Sequence, residues 1–465
     1  METGNLLDKN NNRNSPHQDV FEVTSELIEE ISHALRNNDP EQLEYLLGSL
    51  HSADIANIFE QLREEERAEL TAYFGPGLDP EILTELEDTA LDQVIREMDD
   101  RDVVEAISQL ESDDAVDILE DIDVDDRERI IAAMPDEERL AVEEGLSYPE
   151  DSAGRLIQKN VITVPGAWTV GQVIQFLRTE EELPPEFYEI FIVDPLHHPI
   201  GTVSLSNLIR TPDPMHVSEV MDTDPKVVSV DIDQEEVAHM FRQYDLTSMG
   251  VVDENGRLLG MITVDDVVDV IDEEAEEDIL RMAGVTETDI TETIVEASKN
   301  RIAWLLVNLG TAILASMVIA LFDASIEQMV ALAILMPIVA SMGGNAGTQT
   351  MTVTVRSLAT KDLTPSNVRR VIGKELAIAT MNGAIMAVII GLLSMFYFHS
   401  PLLGGVIAVA MVINMVMAGL AGILVPVGLD KANIDPALAS SIFVTTITDV
   451  VGFFAFLGLA SLFLM

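Results

Sequence analysis

From Arg301 to the C-terminus the chain consists mainly of five apolar stretches, roughly Ile302–Phe322, Met329–Val355, Leu376–Phe398, Leu403–Leu429 and Ala437–Leu464. Each approaches or exceeds the ~20 residues a helix needs to span the hydrocarbon core of a bilayer. Backbone in lipid must satisfy its own hydrogen bonds, so these stretches are expected to be membrane-spanning α-helices. Basic residues set their orientation. Lys299 and Arg301 precede the first stretch, Arg356, Lys361, Arg369, Arg370 and Lys374 lie between the second and third, and Lys431 lies between the fourth and fifth. The other two connections carry none, so every basic segment falls on one side. The positive-inside rule then predicts a cytoplasmic N-terminus and an outside C-terminus.

Charge is distributed very unevenly. Of 26 Lys+Arg and 81 Asp+Glu, seven of each lie from Arg301 onward, which leaves 19 basic and 74 acidic residues in the first 300 and assigns them the whole net charge of −55. So acidic a region repels nucleic acid and attracts cations. Solvation in a salt-rich medium is the plainer explanation for part of it. The chain has no cysteine, which excludes disulfides, thiolate metal sites and cysteine nucleophiles. No Ser-His or paired-carboxylate constellation points to an enzyme. Residues 1–18 are polar and Asn-rich, expected to be disordered, with no apolar signal-peptide core. The acidic region is therefore expected in the cytoplasm and the apolar stretches in the plasma (inner) membrane.

Residues 19–146 are expected to be all-helical. Short amphipathic units recur at Ala53–Leu62, Val103–Leu110, Ala115–Ile122, Arg127–Met134 and Arg139–Gly145, separated by acidic capping turns such as Ser112-Asp113-Asp114. The pattern suits a helical repeat with stacked apolar faces and outward carboxylates. An internal repeat follows. Ile192-Val193-Asp194 through Asn207 aligns without gaps onto Val251-Val252-Asp253 through Asp266, at an offset of 59 residues. Each copy (147–213 and 214–272) reads as strand, helix, strand, tight turn, strand, short helix, with Asp253-Glu254-Asn255-Gly256 as a hairpin turn. His197-His198 falls in the corresponding turn of the first copy and is expected to be a surface loop. An amphipathic connector, 273–300, precedes the membrane region, 301–465.

Polar residues inside the apolar stretches are few. Asp449 is the only charged residue between Ala437 and Met465, within Thr445-Thr446-Ile447-Thr448-Asp449. A carboxylate at the centre of a membrane helix costs on the order of 3 kcal/mol and usually faces a bundle interior or a wet cavity. It is either protonated and bridging helices, or part of a cation path; the neighbouring threonines favour a hydrated cation. Gly343 and Gly347 form a small-xxx-small pattern suited to close helix packing, whereas Gly344, Asn345 and Gln349 are candidates for a wet path. Asn308, Asn382 and Asn414 are expected to make interhelical hydrogen bonds rather than to bind ions.

Two β-α-β-β-α units at this spacing, each ending in a Ser/Thr-x-x-Asp/Asn corner, resemble a tandem CBS pair. The order of acidic helical domain, CBS pair, connecting helix and five spans resembles the MgtE family of magnesium channels and transporters from about residue 20 to the end. The run from Pro337 to Gln349, with Gly343-Gly344-Asn345-Ala346-Gly347, is similar to the family's second-helix signature. Asp435-Pro436-Ala437 followed by Thr445–Asp449 is similar to its fifth-helix signature. Ile442 stands where family members often have proline.

The resemblance implies a multidomain homodimer in the lipid bilayer, a central Mg²⁺ pore, and cytoplasmic domains that close it when internal Mg²⁺ is high. It places the pore metal at Asp449, with Thr445 (its carbonyl) and Thr446 nearby and Asn345 and Gly344 on the second span. Magnesium keeps much of its water, so one carboxylate per chain doubled by a twofold axis suits it. Matching the family's sensor sites gives Glu235, Asp245, Asp266, Asp269, Glu274, Glu277 and Asp278; on the helical domain Asp113 and Asp117, at i and i+4, are the candidates. For ATP at the CBS pair, Asn207 replaces the family's ribose-contacting acid in the first unit, while Thr263 and Asp266 remain in the second. Two alternatives stay open: a transporter of another divalent cation such as Co²⁺ or Mn²⁺, and a nucleotide-sensing membrane regulator that the spans merely anchor.

Overall fold

The computed structural model describes residues 23–180, 183–184, 187–285 and 294–465. Its contacts divide the chain into two compact units, one holding the described residues up to Gln234 together with Leu246–Val264, the other holding Glu235–Asp245 and Asp265–Met465.

The first unit begins with ten helices: α1 Ser25–Arg36, α2 Pro40–Leu47, α3 Ser52–Gln61, α4 Glu64–Phe74, α5 Glu81–Thr84, α6 Asp88–Glu97, α7 Asp100–Ile107, α8 Ser112–Asp121, α9 Val124–Ala133 and α10 Asp136–Gly145. Each helix is short and strongly charged, so none could hold its conformation alone. Stability comes from one continuous apolar core that includes Ile31, Phe59, Leu70, Leu83, Leu91, Ile107, Ile118 and Ile130. Buried Arg67 braces it by donating to the carbonyls of Phe59 and Leu62 and to Gln93. The five expected helical units are present, and the structure adds α1, α2, α4, α5 and α6. In α4 the strongly charged first turn, Glu64-Glu65-Glu66, obscures the apolar period in the sequence.

Two small sheets follow. In the first, β1 (Thr163–Pro165) pairs parallel to β2 (Glu189–Val193), which pairs antiparallel to β3 (Pro199–Ser204); α11 (Val170–Thr179) connects β1 to β2, and α12 (Leu205–Arg210) and α13 (Val217–Val220) follow β3. In the second, β4 (Val227–Ser229) pairs parallel to β5 (Ser248–Val252), which pairs antiparallel to β6 (Leu258–Thr263). The repeat is exact in register: Ile190 faces Val203 as Met249 faces Ile262, and each hairpin carries its irregularity at the same place, Ile192/Val193 and Val251/Val252. Equivalent residues meet across the pair, where the Ser248 hydroxyl donates to Glu189 at 3.3 Å and burial pushes the Glu189 carboxyl up.

The helical region and the sheet region of this unit are pinned at one seam. The Ser112 hydroxyl donates to the Ile157 carbonyl at 2.7 Å and accepts from the Lys159 amide at 2.9 Å. Arg155 pairs with Glu120 at 2.6 Å and donates to the Tyr148 carbonyl, and Lys159 pairs with Glu144 at 2.6 Å. Burial and the Glu144 carboxylate push the Tyr148 phenol up to about 12, so it remains a donor at any physiological pH.

The second unit contains α14 (Gln234–Tyr244), α15 (Val264–Ala283), α16 (Ile294–Ala320), a short α17 (Asp323–Gln328), α18 (Ala331–Ala359), α19 (Val368–Phe398), α20 (Pro401–Asp430) and α21 (Pro436–Phe463). The connector expected at 273–300 differs: its helix is continuous with the corner helix after β6 and ends at Ala283. Gly284, at φ 75°, supplies the left-handed residue that stops it, and the Val285 amide closes the turn onto the Leu280 carbonyl. Of the rest of that expected helix, 286–293 lie outside the described residues and 294–300 open α16. Among the described residues five helices are long and apolar enough to cross a membrane: Arg301–Ala320, Ala331–Ala359, Val368–Phe398, Pro401–Asp430 and Ser441–Phe463. Among them α20 is the most enclosed, with Ile407, Ala410, Met411 and Ala418 in the bundle core.

If the seam holds the helical region in place, Arg155→Ala costs about 2 kcal/mol by stranding Glu120 and the Tyr148 carbonyl. Thermal unfolding of the full chain followed by circular dichroism should show a midpoint lower by roughly 6 °C; a shift under about 1 °C would mean that the seam contributes nothing.

Candidate functional site

Three helices of the membrane region meet through glycines. A Cβ on Gly347 of α18 would stand 2.5 Å from Val444 Cγ1 and 3.5 Å from Thr448 Cγ2 on α21, and one on Gly422 of α20 would stand 2.8 Å from the Gly347 carbonyl. Four residues earlier, Gly343 abuts the Asn414 amide of α20, which also abuts Gly452 of α21. The pairs Gly343/Gly452 and Gly347/Thr448 fix α18 and α21 as antiparallel neighbours. Asn345, between Gly343 and Gly347, is therefore level with Asp449 and Val450. Both small-xxx-small glycines thus serve packing.

The opposite face of α18 is different. Ser341, Asn345 and Thr348, spaced to share one face, are exposed, as is Gln349, and a Cβ added to Gly344 would meet nothing within 4 Å. On α21, Asp449 is half-buried and Thr445, one turn before it, is exposed. The threonines divide: Thr446 donates to the Ile442 carbonyl at 2.6 Å, and fully buried Thr448 donates to the Thr445 carbonyl at 2.9 Å. Such back-bonding satisfies a hydroxyl inside its own helix. Ile442 lies within an unbroken α21.

At the start of α21 lies a group of charges. Asp435 caps the helix, accepting from the Ala437 amide at 2.7 Å, and pairs with Arg281 of α15 at 2.8 Å. Arg281 also pairs with Glu277. Beside it, Met282 packs on the cluster of Met351, Val355, Ala421, Ala437 and Val444, which joins α18, α20 and α21. Burial holds the Asp278 carboxyl above its usual range, and the nearby Asp435 carboxylate adds to the effect. Sequence reasoning placed Asp435 only in the signature that opens α21; its approach to Asp278 is visible only in three dimensions.

The other expected sensor residues are spread over both units. Asp113 is buried on α8 and Asp117 exposed on the same helix. Glu235 lies in the first turn of α14 and Asp245 follows its end, at φ 52°. Asp266, Asp269, Glu274 and Glu277 lie along α15. The neighbouring Glu236 pairs with Lys361, which follows α18, at 3.1 Å. Thr263 is buried, its hydroxyl accepting from Gln158 Nε2 at 3.3 Å. A carboxylate trio that sequence spacing could not disclose, Asp92, Asp123 and Asp126, converges within 4.8 Å. Arg96 already lies among these, pairing with all three, so a resident guanidinium supplies the cation there.

Comparison with known proteins agrees with this architecture. Family models match as a divalent cation transporter over residues 336–459, as the MgtE intracellular N domain over 50–151, and as a CBS domain over 217–273. The chain is 33% identical to the magnesium transporter MgtE of Thermus thermophilus, covering 95% of this chain and 99% of that one. It is 30% identical to the magnesium transporter MgtE of Bacillus subtilis, covering 94% and 98%. The chain belongs to the MgtE family. Among solved structures, the cytosolic domain of the Mg²⁺ channel MgtE in complex with ATP is 30% identical, covering 52% of this chain and 99% of that one, with a TM-score of 0.49. In this MgtE-family chain the two signature segments are the α18 and α21 segments that Gly347 brings together.

The raised Asp278 carboxyl has a definite pH consequence. A folded-state pKa above the unfolded one favours the folded state when the group is protonated, so stability falls as pH rises from the ordinary carboxylate range through the raised value. Without divalent ions, Asp278→Asn should raise the thermal midpoint of the full chain at pH 7 by about 2 °C. The gain should vanish below about pH 4, where the native carboxyl is protonated as well. A midpoint unchanged at pH 7 would show that Asp278 carries no such cost.

Proposed function

We propose that this MgtE-family chain is a homodimeric Mg²⁺ channel of the plasma (inner) membrane, closed from the cytosol by Mg²⁺. The observation that carries the reading is the uncovered polar face of α18. Ser341, Asn345 and Thr348 are exposed at bilayer depth, on a helix whose other face is packed and level with Asp449. Lipid cannot satisfy these groups, so they need water or a second copy against them. A twofold axis beside that face would do both, placing two Asp449 carboxylates around one path. Two carboxylates with carbonyl, hydroxyl and amide groups for the outer waters suit an ion that dehydrates reluctantly. The relatives of matching length are named magnesium transporters, which supports Mg²⁺ as the substrate.

Closure by Mg²⁺ follows from the charges on α14 and α15. Burial raises the Asp278 carboxyl, and the negative charge of Asp435 nearby, which Arg281 only partly offsets, adds to the cost of ionising it. A divalent ion between such groups favours the docked position of α15 against the ends of α18, α20 and α21, by mass action. Glu235, Asp245, Asp266, Asp269, Glu274 and Glu277 would contribute further ligands, with Asp113 and Asp117 on the helical domain. The orientation with α15 in the cytosol rests on the basic segments at the same end of the spans. ATP finds less support, because the Thr263 hydroxyl is buried and accepts from Gln158. A regulator merely anchored by its spans would leave the α18 polar face without a role.

Full-length protein in liposomes tests both parts. Wild type should carry Mg²⁺ flux, and Asp449→Ala should lower it by roughly tenfold or more, the loss of a central ion ligand being worth over about 1.4 kcal/mol. Unchanged flux would overturn the pore assignment. Separately, Asp435→Asn should leave the open flux intact and raise the internal Mg²⁺ needed for half-inhibition by about fivefold. An unchanged inhibition curve would remove Asp435 from the gate.

A further inference from the structure

The geometry points to Asn414 as a positioning residue of the permeation path: its amide sets the separation of α18 and α21 at the level of Asn345 and Asp449, and so the size of ion the path accepts. The inference rests on the reading that those two residues line the path. Asn414 is completely buried in the middle of α20, among apolar neighbours. Its Nδ2 donates to the Val339 carbonyl of α18 at 2.8 Å, while its Oδ1 has no hydrogen-bond partner among the described residues.

Glycines hold it on two sides. A Cβ on Gly343 would overlap Nδ2, and one on Gly452 would stand 2.7 Å from Nδ2 and 3.1 Å from Oδ1. One amide is thus the spacer between two backbones, each stripped of its side chain at the point of contact. Asn345 is two residues past Gly343, about 200° around its helix, and Asp449 three residues before Gly452, about 60° away on the next turn. Asn414 therefore bears on the back of α18, opposite Asn345, and on α21 beside the face that carries Asp449. Its bond to Val339 adds direction to this contact, restricting rotation and sliding of α18 against α20.

The orphaned Oδ1 argues against a role in stability. An unpaired amide oxygen inside the bundle is unfavourable, and an apolar residue of the same size would avoid that cost. Buried polar side chains retained at a cost to stability are best known where they fix register between helices. Here the register in question is that of Asn345 with Asp449.

Asn414→Leu keeps the number and branching of the side-chain heavy atoms, with bulkier methyl ends, removes the bond to Val339 and removes the orphaned oxygen. Full-length protein in liposomes should remain folded, with an unchanged or higher thermal midpoint, and still carry Mg²⁺. Its ratio of Mg²⁺ to Ca²⁺ flux should fall by roughly tenfold, the scale of effect expected from misplacing reacting groups by a fraction of an ångström to an ångström. Gly452→Ala, which pushes on the same amide, should lower the ratio too, and should do so far less in an Asn414→Ala background where the added methyl has room. An Asn414→Leu ratio equal to wild type overturns the inference; if that variant does not fold, an unchanged ratio in Asn414→Thr overturns it instead. Asp449→Asn separates the two claims. If it abolishes Mg²⁺ flux while Asn414→Leu preserves selectivity, the path stands and the positioning role falls.

Discussion

The approach of α18, α20 and α21 through Gly343, Gly347, Gly422 and Gly452 is the constraint on which the rest of the membrane region depends. Helices in lipid gain little from burying apolar surface against one another, so close backbone contact has to supply the specificity. That contact fixes an antiparallel register between the two signature helices. The register brings Asn345, from one signature, level with Asp449, from the other. It also turns the remaining polar side chains of α18 away from the packed seam, leaving a face that lipid cannot satisfy.

The same helices connect this level to the charges at the start of α21. Asp435 caps α21 and Asp449 lies fourteen residues further along the same unbroken helix, a rise of about 21 Å. Arg281 and Met282 of α15 engage the beginning of α21 and the ends of its neighbours. A change in the charge balance among Glu277, Asp278, Arg281 and Asp435 is thus applied to the helix that carries Asp449. No long relay through loops is needed. One rigid element bears both the carboxylate that meets α15 and the carboxylate in the span.

Much of this was legible in the sequence. The five spans follow from apolar length; the structure shifts their ends by at most four residues, except that the third begins eight residues earlier, at Val368. The offset of 59 reappears as identical strand register in the two sheets, because the hairpin between β2 and β3 has the same length as that between β5 and β6. Asn414 was expected to bond between helices, and it does. Other features were hidden by their physics. A charged first turn, Glu64-Glu65-Glu66, masked the period of α4. The boundary of the connector depended on Gly284 adopting a left-handed conformation, which a lone glycine does not announce. The approach of Asp435 to Asp278, and the meeting of Asp92, Asp123 and Asp126 around Arg96, join residues far apart in the chain and leave no local pattern.

The central claim is that the α18 face bearing Ser341, Asn345 and Thr348 borders water in the assembled protein. Because the chain has no cysteine, single cysteines can be introduced without background. Asn345→Cys and Thr348→Cys in liposomes should react with a membrane-impermeant, positively charged thiosulfonate, and saturating Mg²⁺ should slow the reaction. Val353→Cys, about 80° around α18 from Asn345, and Val388→Cys, at an exposed apolar position of α19, should remain inert. Equal inertness at all four positions would place the polar face against protein or lipid and contradict the account.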